Sequence, residues 1–194
     1  AAELDRQGLF EDYLKVTLRV EGDAERPLRT LTRFAERDDL PVYLQSQSAA
    51  WVESLRGLDT EPTGDRLDTA RRLLSEAREL NLYLQDRRGL VQATMASGLL
   101  HAYVLDPSPA AGRRAEAYYL LGLAESVISY ELWVPETEYF LELAIRSAPG
   151  TDTAREAYTF LEQYVFANYS GSGGIDLPDE VAERLRRLRE LADG

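Results

Sequence analysis

The sequence predicts an all-α fold: a right-handed stack of antiparallel helix hairpins, about nine helices in all, with no sheet. Three observations predict it. Apolar residues recur at helical spacing along almost the whole chain, and alternating strand patterns are nearly absent. Prolines stand where the periodic stretches break, at Pro62, Pro107, Pro109 and Pro149. Two stretches also match at a spacing of 42 residues, Arg71-Arg72 … Leu99 … Ala102 … Pro107 and Arg113-Arg114 … Leu141 … Ala144 … Pro149. A repeat of that length made of helix pairs indicates an α-solenoid, in which each hairpin buries its face against its neighbours.

The elements follow in order. A first helix from about Glu3 to Val20 sets Leu4, Phe10, Leu14 and Leu18 near one face, and Glu21-Gly22-Asp23 breaks it. The second, about Glu25 to Arg37, carries Leu28, Leu31 and Phe34 at helical spacing. Pro41 suits the first position of a third helix that runs to about Arg56, with Leu44, Trp51 and Leu55 inward. Gly57 to Asp65 is a loop. Helix four spans about Arg66 to Asp86, helix five about Leu90 to Val104, helix six about Ala111 to Glu131 and helix seven about Glu136 to Ser147. Thr151 or Asp152 can cap helix eight, which runs to about Asn168. After Ser170-Gly171-Ser172-Gly173-Gly174, the run Leu177-Pro178-Asp179-Glu180 opens a last helix to about Leu191; its acids meet the positive end of the helix dipole. The expected organisation is a single helical-repeat domain over 1–194, with irregular helices in 1–61, repeat hairpins in 65–169 and a polar cap helix in 175–194.

Composition narrows the partners. At 194 residues, with 44% hydrophobic and 29% charged, the chain is globular and has length for a sizeable core. A formal net charge of −12 disfavours nucleic acid and anionic lipid, which both demand concentrated positive charge. The nearest thing to a basic stripe, Arg184, Arg186, Arg187 and Arg189, is diluted by Glu183 and Glu190. Lys15 is the only lysine, so nearly all positive charge is arginine. No apolar run reaches the roughly 20 residues that span a bilayer, so no direct membrane insertion is expected. Ala1-Ala2-Glu3-Leu4 reads as an end left after a small-residue cleavage site, and the chain has no cysteine; both suit an exported, periplasmic protein, the alternative being cytoplasmic.

Helices six and seven resemble a tetratricopeptide repeat. Tyr118, Leu121 and Gly122 stand where that family places its aromatic, leucine and close-packing glycine, and Leu141, Ala144 and Pro149 match its second helix and terminal proline. About three extra residues lie between Tyr130 and Glu136, Leu80 replaces the glycine in the preceding unit, and the unit is 42 residues and not about 34. The resemblance implies a concave groove lined by the first helices: Asn81, Leu84 and Arg88 from helix four, Glu116, Tyr119, Leu123, Ser126 and Tyr130 from helix six, and Arg155 and Tyr158 from helix eight. The 42-residue match also implies buried Leu99, Ala102, Leu141 and Ala144 at inter-helix contacts.

Motifs for chemistry are few. No glycine-rich loop is followed by lysine, and no paired-histidine, thiolate or calcium-loop pattern is present, so no catalytic residue, metal or cofactor is expected. His101, the only histidine, reads either as a triad or ligand residue or as a helix-face histidine bonded locally. Glu131, Glu136, Glu138 and Glu142 read as an acidic lip or as a solvated face, and the Ser170–Gly174 run as an anion nest or as a bend. Eleven tyrosines against five phenylalanines suit a binding face. The expected function is a non-enzymatic scaffold that binds a peptide or protein partner in the groove. The alternatives are a periplasmic small-molecule or lipid-binding accessory protein and a carboxylate-dependent hydrolase.

Overall fold

A computed structural model of the chain describes residues 2–37, 39–58, 64–82, 86–128, 136–171 and 174–194. Nine α-helices form among the described residues: α1 (Ala2–Leu14), α2 (Glu25–Ala35), α3 (Val42–Gly57), α4 (Arg66–Leu80), α5 (Leu90–Leu105), α6 (Ala111–Ile128), α7 (Glu136–Ser147), α8 (Asp152–Asn168) and α9 (Asp179–Asp193). The expected all-α class holds, with one departure. Ser170–Gly171 (β1) and Gly174–Ile175 (β2) pair antiparallel, Ser170 opposite Ile175, where a bend without a sheet is expected. Gly174 sits at φ +107°, a backbone conformation open to glycine, which lets so short a pair close.

Helix ends follow their caps. Asp65 accepts from the Leu67 amide at 2.9 Å to start α4, and Thr151 accepts from the Ala154 amide at 3.3 Å to start α8. Pro41 and Pro178 lie one residue outside their helices, with extended ψ of 140° and 142°, and not at the first helical position. α4 stops at Leu80, short of the expected Asp86. Asn81 leaves the helix there, and its side-chain oxygen accepts from the Gly89 amide at 2.8 Å. Gly89 is required at that approach: a Cβ on it would lie 2.4 Å from the Ala77 carbonyl oxygen.

The first helix changes pitch. Lys15–Val20 continues α1 as a π-helix, which leaves carbonyls out of α-helical register. Buried Thr17 meets two of them, its hydroxyl donating to the Tyr13 oxygen at 2.8 Å and the Leu14 oxygen at 3.3 Å. Glu21 and Asp23 close the segment by donating to the Val16 and Thr17 carbonyls.

The chain divides into two compact units, one holding 1–102 and 124–130, the other 103–123 and 131–194. In the first, Phe10, Leu14, Leu18, Leu31, Leu44, Trp51, Leu55, Leu67, Leu90 and Leu100 are buried, and α2 lies along α3. In the second, α7, α8 and α9 pack together around Leu141, Ala144, Ile145, Ala157, Leu161, Val165, Leu185 and Leu188.

The burial implied by the 42-residue match holds for one half only. Leu141 and Ala144 are fully buried, whereas Leu99 is half-buried and Ala102 exposed. The inward leucine at this point of α5 is Leu100. One residue turns a helix by about 100°, so α5 faces its neighbours one residue out of phase with α7.

Gly122 does form a close approach in the second unit. A Cβ there would lie 2.6 Å from both Cγ and Cδ2 of Leu141, which is fully buried, so the leucine would have to shift within a packed core. Gly122→Ala is expected to lower stability by about 1–3 kcal/mol, the cost of overpacking, despite alanine's better helix propensity. Equilibrium urea unfolding checks it; an unchanged midpoint would show that the α6–α7 contact yields freely.

Candidate functional site

Two places in the first unit gather functional side chains. The first is a polar cluster. Glu125 of α6 is fully buried, and its carboxylate accepts from the Ser97 hydroxyl of α5 at 2.8 Å. Arg19, from the π-helix, sets Nη1 3.3 and 3.4 Å from the two Glu125 oxygens. Its Nη2 lies 2.7 Å from Nε2 of His101, which in turn is 3.9 Å from Glu125 Oε1. Arginine only donates, so Nε2 of His101 is the acceptor and the imidazole is neutral in this arrangement. The order differs from a nucleophile relay: Ser97 is buried and donates its hydrogen bond to Glu125, with the imidazole turned to Arg19.

Sequence brings these groups together through small residues. Gly98 lets α5 approach the π-helix backbone, since a Cβ on it would lie 3.3 Å from the Arg19 carbonyl oxygen. The partners of His101 stand far off in the chain, which is why its neighbourhood is not legible from spacing.

The second place is apolar. Leu9, Phe10, Phe34, Arg37 and Leu40 line an open cleft of about 230 Å³. Phe10 and Phe34 meet edge to face with centroids 4.7 Å apart, and the Arg37 guanidinium sits 5.7 Å from the Phe34 centroid. Leu9, Val16 and Val20 are all exposed and share a face, because they recur at seven and four residues.

The groove positions expected from the resemblance fall as follows. Leu84 and Tyr130 lie outside the described residues. In the first unit, Asn81 holds the Gly89 amide, and Arg88 forks onto Asp86, with Nε 3.0 Å from both oxygens. That hydrogen bond outweighs burial and brings the Asp86 carboxyl down to about 2. Ser126, also in this unit, is half-buried. In the second unit, Glu116, Tyr119 and Leu123 are half-buried, and Tyr119 packs against the α7–α9 core. Arg155 is exposed and pairs with Asp152 at 2.6 Å and the Gly150 carbonyl at 2.9 Å. Tyr158 is a core residue, only 8% exposed, and not a groove-lining one. Its ring turns inward between α8 and α9; burial, then its hydroxyl's bond to Glu162 at 2.7 Å, pushes the phenol pKa up.

The acidic run of α7 is answered from α9. Arg184 pairs with Glu138 and with Glu142, the latter at 3.4 Å, and Arg146 adds a contact to Glu142 at 3.3 Å. Among the described residues, no group of three or more His, Cys, Asp or Glu could hold a metal ion. No helix there is long and apolar enough to cross a membrane. Comparison with known proteins finds no matching family model, curated protein or solved structure.

Proposed function

We propose that the protein is a non-enzymatic helical-repeat scaffold, exported to the bacterial envelope, that binds a peptide or protein partner through the apolar face of α1 and the π-helix. The observation that supports this reading is the exposed row Leu9, Val16 and Val20 beside the Phe10–Phe34 cleft. Apolar side chains aligned on one exposed face mark interaction surfaces, whereas scattered ones do not. The cleft's volume of about 230 Å³ lies below the roughly 300–1,000 Å³ of small-molecule sites. It suits one or two anchoring side chains of a peptide. The hairpin stacking expected from the sequence supplies the rigid support such a face needs.

The test is selection from a phage-displayed random peptide library on the immobilised protein. Enriched peptides are expected to carry a bulky apolar anchor. Their affinity is expected to fall about tenfold or more, roughly 1.4 kcal/mol, for the Leu9→Asp, Val16→Asp double variant. Both side chains are exposed, so helical content should stay unchanged. Peptides that bind the variant as well as the wild type would remove the face from consideration.

A further inference from the structure

We propose that His101 is a proton-operated latch on the π-helix. Neutral, it accepts the Nη2 proton of Arg19 at 2.7 Å and so fixes the side chain that ties Lys15–Val20 to α6. Among the charged groups of neighbouring elements that meet it are Arg19 on the π-helix and Glu125 on α6; Ser97 stands one turn earlier on α5 itself.

Protonation reverses the pattern. The imidazolium has no lone pair for Arg19, and its new N–H finds Glu125 Oε1, already 3.9 Å away, as the acceptor in reach. Two cations then compete for one carboxylate, which Ser97 and Arg19 already occupy. The His101 ring, 31% exposed, hangs by a single bond from α5, whereas Arg19, 23% exposed, reaches the cluster on a long flexible side chain and is the group with more freedom to swing away. Arg19 is therefore the group displaced, and the π-helix loses its side-chain tie to α6. Histidine changes charge between about pH 5 and 8, so the latch opens on mild acidification.

The π geometry gives the latch something to release. Long-register hydrogen bonds, Glu21 amide to Val16 oxygen at 3.1 Å and Asp23 amide to Thr17 oxygen at 2.9 Å, hold the segment in a form that is rare outside functional sites. Val16 and Val20 of the apolar row lie on it. The latch would thus gate partner docking, a consequence that rests on the proposed function; the latch itself does not.

The test uses the full chain and two readouts that need no partner. Because His101 is the only histidine, its imidazole gives a single NMR titration curve. The amide resonances of Arg19, Glu21 and Asp23 are expected to shift with the same midpoint. Their hydrogen exchange, corrected for intrinsic rates, is expected to rise about tenfold or more between pH 7.5 and 5.5. His101→Gln, which can accept from Arg19 but cannot be protonated, should hold the amides still over that range; His101→Arg should show the released pattern throughout. Amides in the wild type that ignore the imidazole titration would overturn the latch. So would a response that persists in His101→Gln, which would belong to a carboxylate. Failure of peptide selection leaves these readouts untouched, so the two ideas stand or fall separately.

Discussion

Replacing Arg87 with alanine is expected to lower the stability of the protein by about 3–5 kcal/mol, a large share of the roughly 5–15 kcal/mol that holds a domain folded. The side chain is buried just before α5. It forks onto Glu11 of α1, with Nε 3.3 Å and Nη2 2.8 Å from the two carboxylate oxygens. It also donates to the Val127 and Ile128 carbonyls at the end of α6, where helix geometry leaves oxygens without partners. The Trp51 indole donates to the Arg87 carbonyl at 2.7 Å. Truncation takes the guanidinium away from the buried Glu11 carboxylate and from the two carbonyls. Urea unfolding measures the loss. The double variant Arg87→Met, Glu11→Leu should recover the carboxylate's part and not the carbonyls', leaving a deficit of about 1–3 kcal/mol. Full recovery would show that water meets the end of α6.

Ala144→Glu is expected to cost several kcal/mol, while Ala102→Glu should stay within about 0.5 kcal/mol. Ala144 is fully buried in the α7–α9 core, so the new carboxylate must either desolvate or force α7 away from α8. Ala102 is exposed on α5, where the same carboxylate stays in water. The two positions match at the 42-residue spacing, so the pair also measures the phase difference between the helices. Equal thermal unfolding of the two variants would mean that the match governs burial after all.

Much of the fold was legible because local chemistry sets helix ends. The Asp65 and Thr151 caps, Pro107 and Pro149, and Gly22 at φ +68° all act within a few residues of where they stand. The end of α4 was not legible, since Asn81 is turned outward by an amide eight residues on, in a segment whose periodicity runs past it. The π-helix was read as plain helix because its apolar spacing over six residues is nearly that of an α-helix. The phase of α5 was lost for another reason. That helix is apolar nearly all round, with buried Gln92, Thr94 and Ser97 among its core residues, so its sequence does not mark one face. The burial of Tyr158 is not legible either, because an amphipathic aromatic can bury its ring and still satisfy its hydroxyl locally, here on Glu162. The polar cluster joins Arg19 to residues 82 and 106 positions away, and no spacing rule reaches that far.

The arginine-only chemistry of the buried pairs has a consequence at high pH. Glu11, Asp86 and Glu125 each answer to a guanidinium, Arg87, Arg88 and Arg19. A lysine would surrender its proton near pH 10.4, but a guanidinium keeps its charge past pH 12, so alkali does not strip these carboxylates of their counter-ions. The alkaline limit of the fold passes instead to its phenols. Tyr158 must give up a proton that burial and Glu162 both hold in place, and the nearby Arg189 charge only partly offsets them. Alkali therefore acts on the fold at buried phenols such as Tyr158 before it acts on these arginine pairs.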